Sequence, residues 1–287
     1  MNNLCFFVSD LHGKIERYKK LFDRIESYKP KAVFLGGDLM PAGIAKALRI
    51  GGGYNDFVSE FLVKQFSQLK DRMKNSYPAV FLILGNDDPR IEEKNIQFYE
   101  RQGLWRYIHM RCADLEGYTV YGYSYVPPTP FMLKDWERYD VARYVDPGCC
   151  HPTAGFRTVN IKEDIEFETI RKDLNNMTGN QDLSKAIFLF HSPPYNTFLD
   201  RAALDGVKID HVPADVHVGS IAIKELIEER SPYITMHGHI HESSRITGYW
   251  KQKINKTWAF SAAYDGDQLA VVQFDLKYPE DAERVVI

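Results

Sequence analysis

Five times along the chain a short apolar run stops at a turn carrying Asp, Asn or His. Residues 4–9 run into Asp10-Leu11-His12-Gly13, 32–35 into Gly36-Gly37-Asp38, and 79–84 into Gly85-Asn86-Asp87-Asp88. Farther on, 186–190 run into His191-Ser192-Pro193-Pro194, and 233–236 into His237-Gly238-His239-Ile240-His241. Short apolar runs bounded by turn signals read as buried strands. Between them, apolar residues at helical spacing predict helices over 15–28, 57–74, 161–174 and 221–230. This alternation predicts an α/β layered fold with a largely parallel core sheet.

The end of the chain changes character. Residues 245–250, 257–262 and 269–276 predict antiparallel strands, the last with Val272, Phe274 and Leu276 alternating with Gln273 and Asp275. Two stretches interrupt the alternation. A short helix near 44–49 ends at Gly51-Gly52-Gly53, which reads as a hinge or turn. Residues 126–156, rich in Pro, aromatic and charged residues without a period, predict a lid inserted into a single domain spanning 1–287. Tyr123, Tyr125, Phe131 and Trp136 either stack on a substrate group or simply pack this insert.

A chain of 287 residues with 44% hydrophobic residues buries a sizeable core without disulfides or structural metals, so metal ligands in it read as functional. The net charge of −3 and the lack of dense Lys/Arg runs disfavour nucleic acid and anionic membranes as partners. None of the four cysteines has Cys-x-x-Cys spacing, and the start of the chain lacks the pattern of a signal peptide; the expectation is a reduced, cytoplasmic protein. No residue pattern speaks to an oligomeric state.

The turns hold the chemistry. In extended backbone, residues two apart point to the same side, so Asp10 with His12, and His239 with His241, can each face one cavity. Asp38 follows two glycines that allow close approach of the backbone, and Asn86 offers a hard oxygen. His191 ends an apolar run, where a core histidine is equally at home. Taken singly each cluster is weak. Together they offer carboxylate, amide and imidazole donors at strand ends, where open α/β sheets gather ligands. Such donors without thiolate suit manganese, with iron, zinc, cobalt or nickel as alternatives, rather than calcium. Seven donors exceed the needs of one ion with an open position. A carboxylate shared between two divalent ions resolves the excess.

In this order and spacing the motifs resemble those of the calcineurin-like metallophosphoesterase superfamily: Asp-x-His, Gly-Asp, Gly-Asn, a strand-end His and Gly-His-x-His. The matched residues span 10 to 241. The resemblance implies two facing mixed β-sheets flanked by helices. It implies one ion held by Asp10, His12, Asp38 and His241, and another held by Asp38, Asn86, His191 and His239, with Asp38 bridging. It further implies phosphoester hydrolysis by a metal-bridging hydroxide, with Asn86 and His191 counted in the catalytic machinery.

One position departs from the superfamily pattern. Asp87 stands where the family carries a His thought to protonate the leaving oxygen. Either Asp87 is lifted by burial and serves as the acid, or His217, His211 or Tyr195 replaces it, or the substrate needs no acid. A small phosphodiester or nucleotide with a good leaving group is the expected substrate. A protein phosphatase or nuclease of the same superfamily, or a metal-binding scaffold without catalysis, are the alternatives. His109, His151, His211 and His217 read as surface or core residues, and a Cys/His zinc site at Cys149, Cys150 and His151 lacks a fourth ligand.

Overall fold

All five apolar runs become central strands. The computed structural model describes residues 3–41, 56–161 and 164–287, so the helix and triple glycine expected over 44–53 lie outside the described residues. In the first sheet β1 (Leu4–Val8), β2 (Ala32–Gly36), β3 (Ala79–Ile83) and β4 (Arg106–Tyr107) run parallel. In the second, β5 (Arg111–Leu115) pairs antiparallel with β6 (Tyr118–Tyr123), which runs parallel to β7 (Ala186–Phe190). A separate small hairpin joins β8 (Lys208–Ile209) to β9 (Val212–Pro213). The second sheet continues through β10 (Ile234–His237), with β11 (Lys251–Ile254) and β12 (Thr257–Ser261) on its far side. Finally β13 (Ala270–Asp275) and β14 (Tyr278–Val286) close the first sheet antiparallel to β1. The strand orders are β14-β13-β1-β2-β3-β4 and β11-β12-β10-β7-β6-β5: two mixed sheets of six strands each, flanked by helices.

Alternation along the strands builds two cores at once. Cys5, Phe7, Phe34 and Phe81 of the first sheet meet Ile187, Leu189 and Phe260 of the second in one buried cluster between the sheets. The intervening Phe6 and Val8 face outward and join Tyr18, Leu21 and Ile25 of the helix Ile15–Tyr28. Burial stabilises each such side chain by about 1.5–3 kcal/mol. Being apolar on both faces, these strands read as continuous runs rather than alternating ones.

Helices begin and end where local chemistry permits. Ser220 caps Ile221–Arg230, its hydroxyl accepting from the Ile223 amide at 3.1 Å. Thr169 does the same for Ile170–Thr178, so the helix expected over 161–174 starts and ends later than its apolar spacing suggested. The helix expected over 57–74 is a π-helical turn, Val58–Val63, that runs on into Lys64–Met73. The strand expected over 245–250 is instead the helix Ser243–Thr247, ended by Gly248 at φ 77°. Here a left-handed glycine cap overrode an apparent period of two. The edge strands β5 and β14 gave no clear apolar signal because one of their faces is exposed.

The segment expected to be an inserted lid is irregular but well packed. Its Trp136, Lys134 and Tyr139 are buried, and isolated bridges join Val126 to Glu137 and Leu133 to Phe156. Among the described residues no helix is long and apolar enough to cross a membrane.

Candidate metal centre

The donor-bearing turns come together where β1, β2, β3, β7 and β10 end. Their backbone is not extended. Asp10, His12, Asp38 and His239 all sit at positive φ, 57°, 47°, 53° and 73°. Convergence of Asp10 with His12, expected from extended geometry, therefore arises from left-handed turns. Such a conformation costs a non-glycine residue of order 1 kcal/mol, and Asp and His tolerate it better than most. Four such residues in one place mark a site shaped for something other than packing.

Two glycines make the approach possible. A Cβ on Gly85 would overlap Asp38 Oδ1 and lie 2.7 Å from His191 Cε1. One on Gly238 would overlap Ser9 Oγ and lie 2.7 Å from Asp10 Oδ2. Both turns thus press bare backbone against ligand side chains.

Asp10, His12, Asp38 and His241 each present a ligand atom within 4.8 Å of the others. His12 Nε2 and His241 Nε2 are 3.1 Å apart, and His241 Nε2 is 3.2 Å from Asp10 Oδ1. On the other side of Asp38, His191 Nε2 lies 3.3 Å from Asp38 Oδ2 and 3.0 Å from Asn86 Oδ1. His239 stands beside them, its ring 5.2 Å from that of His191. Donors sharing one ion at about 2.1 Å sit roughly 3.0–3.4 Å apart. Most of these spacings fall in that range, and His12 and His241 turn imidazole nitrogens toward each other at 3.1 Å. The donor set fits divalent metal. Asp38 is the member common to both groups, 3.9 Å from His12 Nε2 and 3.3 Å from His191 Nε2.

Surrounding contacts aim the ligands. His191 Nδ1 donates to the Gly36 carbonyl at 2.8 Å, which turns Nε2 toward Asp38 and Asn86. Asp10 accepts the His239 amide at 3.0 Å. Three residues that the motifs left unremarked hold this frame. Asp88, fully buried, accepts amides of Leu39, Met40 and Gly85 at 2.8–3.1 Å and so ties the Asp38 turn to the Asn86 turn. Arg17 donates to the Asp10 carbonyl at 2.6 Å, fixing the first turn. Trp136 Nε1 donates to the Asp88 carbonyl at 2.8 Å, bracing the second from outside. Only the doubled Asp87-Asp88 pair hinted at the first of these.

Charge is finely set. Burial opposes ionisation of Asp38, yet the nearby His191 and His12 hold its carboxyl down to about 2. Burial likewise opposes a proton on His191, but the Asp38 carboxylate outweighs it and pushes the pKa up to about 10. His239 is held down to about 3 by burial and by the charge of His191, which leaves its nitrogen lone pair open. A metal ligand must be deprotonated, so binding at His191 releases a proton. The sign follows: below about pH 10 the proton competes for His191, and lowering the pH strengthens the competitor. Chelator-competition titrations should show metal affinity falling by about tenfold per pH unit lost for each proton displaced. An affinity flat from pH 8 to pH 6 would sink this assignment.

Asp87 is half-buried at the rim. Its amide donates to Asp38 Oδ1 at 2.8 Å, and its Oδ2 is 3.6 Å from His12 Nδ1. Burial, then the charge of Asp38, raise its carboxyl to about 6. Four other histidines, His237, His217, His211 and His151, lie outside the donor cluster. His237 is buried and lowered to about 4 by burial, and both its ring nitrogens are engaged, by Ser192 O at 2.9 Å and Thr235 Oγ1 at 2.8 Å, rather than turned to the donor cluster. His217 Nδ1 is 2.8 Å from Asp200 Oδ1, while Tyr195 donates to Asp215 at 2.7 Å. His211 is exposed. His151 meets Tyr139, and among the described residues no metal-type cluster forms with Cys149 and Cys150. Tyr123, Tyr125 and Trp136 are buried, whereas Phe131 is 58% exposed and lines the pocket beside the donors.

Two facing mixed sheets carry carboxylate, amide and imidazole donors on their strand-end loops, an arrangement that could hold metal ions. The sequence pattern of the calcineurin-like phosphoesterases matches residues 5–243. The chain belongs to the calcineurin-like phosphoesterase family. No curated protein matches it in sequence. One solved structure superposes with a TM-score of 0.60 at 14% identity, covering 100% of this chain and 99% of the other. The TT1561 protein of Thermus thermophilus superposes with a TM-score of 0.56 at 15% identity, covering 100% and 99%. At such identities the likeness is one of fold.

Proposed function

We propose that this chain is a two-metal phosphodiesterase for small diesters whose organic group is apolar and leaves readily. One observation carries the reading. The pocket of about 330 Å³ that contains Asp38, Asn86, Asp87, His239 and His241 is walled by Pro127, Pro130, Phe131, Leu204 and Val218 and has no Lys or Arg among its described lining residues. A diester carries one charge, which two dications neutralise. A nucleoside triphosphate brings further charges that would meet only Asp87 and Glu242. The size suits a small molecule rather than a protein segment.

Asp10, His12, Asp38 and His241 would hold one ion, and Asp38, Asn86, His191 and His239 the other; manganese is the first to test. Bound there, such ions supply charge stabilisation at the phosphate oxygens and a nucleophile available near neutral pH. The chain itself does the rest. Prolines and Phe131 of the 126–156 segment, which we read as a fixed lid, exclude water and seat the organic group. Asp87, at the pocket edge, would give a proton only to leaving groups too poor to depart without one. Four unpaired cysteines suit a reducing compartment such as the cytoplasm.

The test is a Mn²⁺-loaded panel of a phosphomonoester, an aryl diester, a cyclic nucleotide and a nucleoside triphosphate. The aryl diester should lead the triphosphate in kcat/KM by at least about tenfold, a difference of only ~1.4 kcal/mol. Preference for the triphosphate overturns the pocket reading. Two equivalents of tightly held metal with no turnover of any substrate would favour the non-catalytic scaffold.

A further inference from the structure

Four residues past Asn86, Arg90 lines a second pocket, of about 440 Å³, which shares no residue with the one at the metal centre. His109 is its telling feature. Its Nδ1 accepts the Ser124 amide at 3.0 Å, which places the ring proton on Nε2. Only 7% of the residue is exposed, yet Nε2–H has no protein acceptor among the described residues and is not sealed in. The residue lines the pocket. Burial, and then the positive charges of Arg90, Arg138 and Arg111, hold His109 well below its usual range, so the ring is a neutral donor.

The acceptors around the pocket are already engaged. Asp173 takes the Tyr123 hydroxyl at 2.7 Å and Arg138 at 2.8 Å. Glu93 takes the Tyr107 hydroxyl at 2.8 Å and Arg90 at 3.3 Å, and Glu168 takes Lys172 at 2.7 Å. Tyr125 steadies two guanidinium groups, with Arg138 4.1 Å and Arg90 5.8 Å from its ring centre. Among the described residues Arg111 reaches only Glu100, at 3.5 Å, and its side chain is 52% exposed. The pocket's three carboxylates are thus held by neighbouring donors, and the donor without a partner among the described residues is that of His109.

We propose that this pocket is a second ligand site, binding a small oxyanion (phosphate or carboxylate) through the Nε2–H of His109 and the guanidinium of Arg111. An oxyanion brings the acceptor that His109 lacks and the charge that Arg111 meets weakly. A cation or an apolar molecule brings neither. The inference is independent of the reaction proposed above, since it uses none of the same residues.

The test titrates inorganic phosphate and malonate separately into the full chain and into Asp38→Ala, which removes the metal centre as a competing phosphate site. Binding should persist in Asp38→Ala and weaken by about tenfold or more in Asp38→Ala/Arg111→Ala and Asp38→Ala/His109→Gln. Should His109→Gln disturb the aromatic surroundings, the half-exposed Arg111→Ala keeps the test open. In ¹⁵N-histidine spectra the His109 Nε2–H signal should move on saturation. A response to phosphate alone identifies a phosphorylated ligand, to malonate alone a carboxylate, to both a general oxyanion site. The proposal falls if neither anion saturates, if binding vanishes with Asp38→Ala, or if Arg111→Ala leaves affinity unchanged.

Discussion

Asp38→Ala is expected to lower kcat/KM on any diester by about 10³-fold or more and to cut bound metal from two equivalents toward one or none. Asp38 lies between the two groups, at 3.3 Å from His191 Nε2 and 3.9 Å from His12 Nε2. Lewis-acid stabilisation is worth several kcal/mol, each ~1.4 kcal/mol being tenfold in rate, so if Asp38 bridges two ions as proposed, its loss weakens the hold on both. Asp38 also accepts the Asp87 amide at 2.8 Å, and a purely structural loss must be told apart. Asp38→Asn keeps that acceptor while removing the charge. Metal analysis beside the thermal midpoint separates the two roles: Asn should restore the midpoint but not the metal. Full metal and full rate in both variants would remove the basis of the proposed function.

Asp87→Asn is expected to lower kcat by about 10²–10⁴-fold on a diester with a poor leaving group, and hardly at all on one that leaves without a proton. Asparagine keeps the shape and the amide contact to Asp38 but cannot give up a proton. The carboxyl is raised to about 6 by burial and by Asp38 in the metal-free protein, and dications beside it pull the value down. An acid works while protonated, so the wild-type rate on the poor substrate should fall as pH rises through that pKa, and the slope should vanish in Asp87→Asn. Equal rates for the two proteins on the poor leaving group would pass the role elsewhere. His217 and Tyr195 are tied to Asp200 and Asp215 at 2.8 and 2.7 Å, and would have to leave those partners to serve.

Most of the framework was legible because its signals are local. Strands buried on both faces show as unbroken apolar runs, and those at 186–190 and 79–84 match the observed β7 and β3 to within a residue. Edge strands with one wet face escaped notice, and the stretch after His241 was misread until Gly248 showed a helix end. His239 and His241, two apart, read as the paired donors of their turn, while the neighbouring His237 belongs to packing because its ring is enclosed by Ser192 and Thr235.

By itself the sequence determined which donors exist, their order, and their attachment to strand ends, since these follow from residue type and short-range period. Tertiary structure alone decided which of them meet. Asp10 and His241 are 231 residues apart and come within 3.2 Å only because two sheets face each other. The left-handed backbone of Asp10, His12, Asp38 and His239, and the hold of Asp88 on the Asp38 turn 49 residues earlier, are likewise products of packing. No pattern of neighbours encodes them, because the energy that offsets the strain comes from the rest of the fold.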